Sequence, residues 1–387
     1  MFPVQPSTFT PQSRSPLERP APRHGQLGGL RTALGWWIAA GAALLLVAAL
    51  SGCANLGYYW QSMTGHMAVV NAAKPVQDWL DDAQTPEATK RRLELSQRIR
   101  EFASSDLQLP NNASYRRYAD LKRRAAVWNV VAAPEYSLTL HTWCFAVVGC
   151  VGYRGYYAEA DAQAEAEIKK SEGLEVSVYG VPAYSTLGYL NWAGGDPLLS
   201  TFINYPEGEL ARLIFHELSH QVLYVQDDTM FNESFATAVE RIGGAQWLAQ
   251  QGSDAARAEY AQFDQRRRQF RGFTLATRKK LDAIYALQAD NTARAATKKI
   301  AMKEFQDDYA QLKAQWGGYA GYDAWVAKAN NASFGALAAY DELVPQFEAL
   351  YAKQTGSPQE RWLRFYEACK ALAKLPRAER RAALAAA

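Results

Sequence analysis

Two histidines four residues apart, His216 and His220, flank a glutamate in the run Leu213-Ile214-Phe215-His216-Glu217-Leu218-Ser219-His220. On a helix this spacing stacks both imidazoles on one face, where they can share a cation, with Glu217 beside it. Two neutral imidazoles and a carboxylate suit Zn2+ and leave its fourth position to a water whose pKa falls towards ~7. The third ligand has to come from elsewhere. Glu233 lies thirteen residues past His220, beyond the loop Gln226-Asp227-Asp228-Thr229 and at the start of a second helix. Glu240, two turns further on, stays on the same side and is expected to orient a ligand imidazole through its other nitrogen. The competing assignment exchanges Glu240 with Glu233. With Glu217 as general base, such a site hydrolyses peptide bonds. The plain alternative is a structural, hydrogen-bonded histidine pair.

His216-Glu217-Leu218-Ser219-His220 followed by Asn232-Glu233-Ser234-Phe235-Ala236-Thr237-Ala238-Val239-Glu240 resembles the gluzincin metallopeptidases, whose zinc aminopeptidases carry HExxH and a downstream NExxxxxxE. A bacterial family of zinc-dependent aminopeptidases is more similar still. The shared pieces are Trp143-Cys144-Phe145-Ala146-Val147-Val148-Gly149-Cys150-Val151-Gly152-Tyr153-Arg154-Gly155-Tyr156, Tyr184-Ser185-Thr186-Leu187-Gly188, Asp196-Pro197-Leu198 and Asn330-Asn331-Ala332, so the resemblance covers most of the chain after residue 53. It implies a zincin-like catalytic core, Zn2+ as cofactor and a peptide substrate. The gap before Glu233 is shorter than in the larger gluzincin aminopeptidases, and their GxMEN segment, which grips a substrate's N-terminus, has no clear counterpart. An endopeptidase or amidase acting on cell-envelope peptides therefore stays open. A non-catalytic envelope lipoprotein is a third reading, against which Glu217 speaks, since a structural site needs no general base.

Peptide hydrolysis also calls for a donor to the developing oxyanion. The candidates are His141, Tyr153, Arg154, Tyr156, Tyr184 and Tyr340, and the resemblance makes the Tyr153-Arg154-Gly155-Tyr156 and Tyr184 segments walls of the cleft. Among 21 tyrosines, any given one is more often a core or rim residue.

The N-terminus is basic and Pro-rich, then apolar through Trp36-Trp37-Ile38-Ala39-Ala40 and Leu44-Leu45-Leu46-Val47-Ala48-Ala49, and closes on Leu50-Ser51-Gly52-Cys53. That order describes a secretory signal. Leu-Ser-Gly-Cys resembles a bacterial lipobox, which implies acylation at Cys53, a membrane partner through that lipid, and a body facing the periplasm. Ala54 after the cysteine favours the outer membrane. An uncleaved membrane anchor is the alternative, because the uncharged run is long enough to span. With residues 1–52 set aside, 38 basic and 38 acidic side chains remain, a balance that gives no reason to expect nucleic acid. Cys144 and Cys150, six residues apart, are expected to form a disulfide in an oxidising compartment, with two buried thiols as the alternative; Cys369 reads as a small core residue.

The composition, 49% hydrophobic over 387 residues, supports a sizeable core. The expected fold is α+β and predominantly helical: a zincin-like core with a small sheet and the active-site helix, plus N- and C-terminal helical hairpins. The expected boundaries are 1–52 for the signal, 53–126 for an N-terminal helical segment, 127–252 for the catalytic core, and 253–387 for helices completing the same domain. Periodicity predicts helices over 58–79, 87–107, 157–171, 332–351 and 358–373, and a long hairpin over 253–315 that Trp316-Gly317-Gly318 ends. Strands are expected at 127–131 and 137–143, paired to each other, at 174–180, and at 199–204. Gln265-Arg266-Arg267-Arg268 reads as a solvated face, with a grip on lipid headgroups as the lesser reading. Glu207 and Glu209 suit the first turn of the helix that carries His216.

Overall fold

In the computed structural model, which describes residues 57–386 apart from 146–148, 189–190, 288–289 and 340–341, helices dominate and the strands form small sheets of two or three, an α+β arrangement. The chain divides into two units, Met1–Tyr59 and Trp60–Ala387. In the second unit, helical residues 60–72 (α1) are followed by β1 (Lys74–Pro75), α2 (Val76–Asp81), α3 (Glu87–Ser105) and β2 (Arg117–Ala119). The single helix expected over 58–79 is therefore two, broken at Lys74-Pro75, because a proline disfavours helical geometry in the residue before it.

Next come β3 (Val127–Pro134), β4 (Trp143–Phe145), β5 (Gly149–Val151), β6 (Arg154–Tyr156), α4 (Glu159–Ser171), β7 (Leu174–Val181) and β8 (Leu198–Leu199). β3 is the centre of the main sheet, antiparallel to β6 on one edge and to β7 along its whole length on the other, with Asn129 opposite Tyr179. The pairing expected between 127–131 and 137–143 does not form. Both edges of β3 are taken by strands further along the chain, and the return segment is tied to β3 from the Ser137 amide to the Pro134 carbonyl and from the His141 amide to the Ala132 carbonyl. Its end, β4, pairs with β5, and the Cys144–Cys150 disulfide joins these two strands. The strand expected at 199–204 is also mostly absent. β8 is two residues long, after which Phe202 and Ile203 turn back to donate to the Leu199 carbonyl.

The remaining elements are α5 (Glu207–Ser219), α6 (Thr229–Gln250), α7 (Asp254–Ala286), α8 (Asn291–Gln315), α9 (Asp323–Ala327), α10 (Asn331–Ala339), α11 (Val344–Ala352), α12 (Pro358–Ala373) and α13 (Arg377–Ala386). The helix expected over 332–351 is again two, Pro345 standing in the first turn of α11. The basic run on α7 is not a solvated face. Arg267 makes a two-pronged ion pair with Glu209, Arg266 lies over the Tyr319 ring, and of the three Arg268 is the one mostly in water.

One core draws on α3, α5, α6, α11 and α12, through Phe102, Phe215, Phe235, Trp247, Phe347 and Phe365. A second core lies between α7, α8 and α10, around Phe270, Phe305 and Phe334. α5 has Leu210, Ile214, Phe215 and Leu218 fully buried in the first core. At ~1.5–3 kcal/mol for each such side chain, that face fixes the rotation of the helix and turns His216 and Glu217 to the other side. α6 can lie close to α5 because Gly243 and Gly244 sit at the crossing. A Cβ on Gly244 would come within 2.7 Å of the Arg212 side chain.

Candidate metal centre

α5 and α6 bring His216, His220 and Glu233 together, so that one donor atom from each lies within 4.8 Å of the others. The two Nε2 atoms are 3.3 Å apart, and Glu233 Oε2 stands 3.3 Å from the first and 3.7 Å from the second. α5 ends at Ser219 and His220 is its C-cap, still in helical geometry, so the one-turn stacking of the two rings holds to the last residue. Four bonds around the following loop set the position of Glu233. Asn232 holds both backbone groups of Val225, accepting from its amide at 2.8 Å and donating to its carbonyl at 2.7 Å. Asp228 caps α6 by accepting from the Phe231 amide, and Asp227 accepts from the Cys150 amide at 2.5 Å, tying the loop to the disulfide-bearing hairpin.

Behind the cluster, Glu240 Oε2 is 3.0 Å from His216 Nδ1, while its other oxygen accepts from Arg212. Arg212 is buried and also meets Asp264 at 3.6 Å and the Tyr260 hydroxyl at 3.1 Å. Charge thus alternates outward from His216. Burial works against a charge on His216, but its bonds to Glu233 and Glu240 outweigh burial and raise its pKa well above the usual value. Burial pushes His220 down to about 4, so this ring is neutral. Glu233 is lowered even though burial opposes its ionisation, because both imidazoles favour its charge; Glu240 is lowered further, by Arg212 and His216. An ionised carboxylate, a neutral imidazole and a second imidazole drawn to positive charge are the electrostatics of a place that receives a cation.

Glu217 is half-buried next to these donors. Burial raises its carboxyl to about 7, and the charges of Glu233 and Asp196 add to the shift against the opposing pull of His216. Asp196 belongs to a polar network at the end of α5. It accepts from the Thr186 amide at 3.2 Å and from Gln221 at 3.3 Å, and Gln221 in turn binds Ser114 and Asn112. Tyr115, at the strained φ of +64°, is buried there with a hydroxyl that has no hydrogen-bond partner among the described residues.

A family model described as "Putative aminopeptidase" matches residues 57–384. The chain belongs to this family. No curated protein and no solved structure matches it. Membership in the aminopeptidase family supports a peptidase with a peptide substrate, and the clustered donors could hold a metal ion.

The other residues singled out from the sequence have these surroundings. His141 packs edge-on against Trp143. Arg154, Tyr156 and Trp143 converge on the buried Glu165 of α4, at 3.5, 3.1 and 3.0 Å. Tyr153 packs with Val131, Ala133 and Ala332. The Tyr184 hydroxyl meets His66 Nδ1 at 2.9 Å, and its ring contacts Tyr157. Cys53 and Tyr340 fall outside the described residues.

Two other tyrosines feel the charges of the cluster. The Tyr179 hydroxyl is raised to about 12, chiefly by burial, with an Asn129 hydrogen bond opposing and Glu233 adding. Tyr115 is raised by burial and then by Glu217 and Asp196. Neither carries a local signal in the sequence. Arg212 had one, since it stands a single turn before His216, and Asp228 another, as the polar residue heading a helix.

Proposed function

We propose that the chain is a zinc-dependent aminopeptidase of the cell envelope, exported by its leader and held at a membrane, in our reading the outer one, by an acyl group on Cys53. The convergence of His216, His220 and Glu233 beside Glu217 carries the catalytic half of this reading. The donor set fits zinc: two imidazoles and a carboxylate, with the second nitrogen of His216 held by Glu240, the outer contact that a ligating histidine requires. Zinc in that place would supply a Lewis acid for the scissile carbonyl and acidify a water.

Glu217 then takes the proton from the attacking water as the new carbon–oxygen bond forms. It returns that proton to the amine nitrogen as the carbon–nitrogen bond breaks. Glu240 and Arg212 keep the His216 ring in one orientation throughout. We assign the oxyanion donor to Tyr179, whose hydroxyl Asn129 orients and which lies in the field of Glu233.

The deciding experiment measures zinc content and hydrolysis of free and N-blocked peptides by the full-length protein and by Glu217→Gln. One equivalent of zinc in both, with cleavage of free peptides by the unmutated chain alone, is the expected result. Equal cleavage of blocked peptides would move the assignment to an endopeptidase or amidase. Activity that survives in Glu217→Gln would falsify the mechanism.

A further inference from the structure

The strongest surface feature away from the metal centre is on α1. Trp60, Met63 and Met67 are 64%, 54% and 48% exposed and stand at i, i+3 and i+7, one stripe of the helix. Single exposed apolar residues are ordinary, but this stripe is continuous and has no charge in it: the sequence carries no Asp, Glu, Lys or Arg from Ala54 to Ala73. The next long helix, α3, is by contrast densely charged.

The opposite face of α1 is fixed to the body. His66, Val69 and Ala73 are buried along or just past it, His66 bonds Tyr184, and Gln61 bonds both the Gly155 carbonyl and the Tyr157 amide. Gly65 lies so close to the Tyr157 ring that a Cβ there would overlap it at 2.2 Å. The stripe cannot turn inward, so whatever covers it comes from outside.

The position of the stripe in the chain names the occupant. Trp60 follows Cys53 by seven residues and the apolar run ending at Leu50 by ten. Seven residues reach ~25 Å at full extension, so an anchor at Cys53 keeps α1 close to the bilayer surface. Trp prefers the interfacial layer, and an uncharged face with flexible methionines is suited to shallow burial in it.

We propose that α1 lies along the membrane surface, with Trp60, Met63 and Met67 in the interfacial layer of the bilayer to which the chain is anchored. This rests on the membrane attachment proposed above and adds a second, non-covalent contact that fixes how the body meets the lipid.

The test uses full-length protein purified from bacterial membranes and reconstituted in phosphatidylethanolamine–phosphatidylglycerol vesicles. Tryptophan emission of the unmutated chain and of Trp60→Phe is compared with and without lipids brominated near the headgroup. The difference between the two proteins is the emission of Trp60, which should be blue-shifted and lost on bromination. The variant Met63→Ser/Met67→Ser, altered at exposed positions with the Trp60 reporter kept, should retain the unmutated zinc content and peptidase rate while Trp60 emission shifts to the red and escapes quenching. Protein that floats with the vesicles but shows red, unquenched Trp60 emission overturns the proposal and leaves the anchor standing. Blue but unquenched emission means that another protein chain covers the stripe, which also overturns it. Protein that does not float overturns the anchor and the surface contact together.

Discussion

Replacing Glu240 by Gln tests whether the acidic residue behind His216 acts through that ring. The change preserves size and removes the charge that faces His216 Nδ1 at 3.0 Å on one side and Arg212 on the other. Losing such an outer partner of a ligating histidine costs ~10–100-fold in metal affinity, or about 1.4–2.7 kcal/mol. The fold should suffer less than the ~3–5 kcal/mol of a bared buried charge. Arg212 keeps Asp264 at 3.6 Å and the Tyr260 hydroxyl at 3.1 Å, so its guanidinium is not left alone. Competition for Zn2+ with a chelating dye reads the first effect, and urea denaturation of zinc-free protein reads the second. In a His216→Ala background the same substitution should no longer change zinc affinity. An undiminished effect in that background, or unchanged affinity in Glu240→Gln itself, refutes the reasoning. Loss of zinc as complete as in Glu233→Ala would instead exchange the roles of the two glutamates.

Asp228→Ala removes the cap of α6 and leaves Arg380 buried without its carboxylate, so urea denaturation should register a loss of ~3–5 kcal/mol. A loss below about 1 kcal/mol, the level of an exposed pair, would show that this contact holds nothing in place. Cys144→Ser opens the small disulfide loop and should cost ~2 kcal/mol by chain entropy, read as a lower melting temperature under non-reducing conditions; an unchanged melt counts against the bond. Tyr179→Phe should lower kcat by ~100-fold with zinc content unchanged, and a variant with full turnover would remove Tyr179 from the oxyanion site.

What could be read from the sequence follows the range of each interaction. The α+β class and the helix carrying His216 and His220 rest on local patterns and a spacing of four residues, which periodicity carries, whereas the choice of Glu233 over Glu240 rests on the resemblance of Asn232-Glu233 to the gluzincin motif. The sheet is not legible locally, because β3 pairs with partners more than twenty residues away, while the nearest apolar run is equally suitable by pattern. Tyr184 is held by His66, 118 residues earlier, and nothing local announces that bond. Arg267 reads as one member of an exposed basic run until α5 is packed beside it, where Glu209 claims it. Arg212 was legible as a helix residue but not as a partner of Glu240, since only the glycine-lined crossing of α5 and α6 places them together.

The grip of Arg380 and Arg381 on Asp228 also sets an order in time. Asp228 is 2% exposed, and the first of these arginines lies 152 residues downstream of it. Every donor of the candidate metal cluster has been synthesised by Glu240, yet the residue that heads α6 stays without its arginine partners until α13 arrives. A chain growing from its N-terminus therefore carries the chemistry of a hydrolase long before it can hold it in place. While it is still extended, and most easily cut, it is also least able to cut.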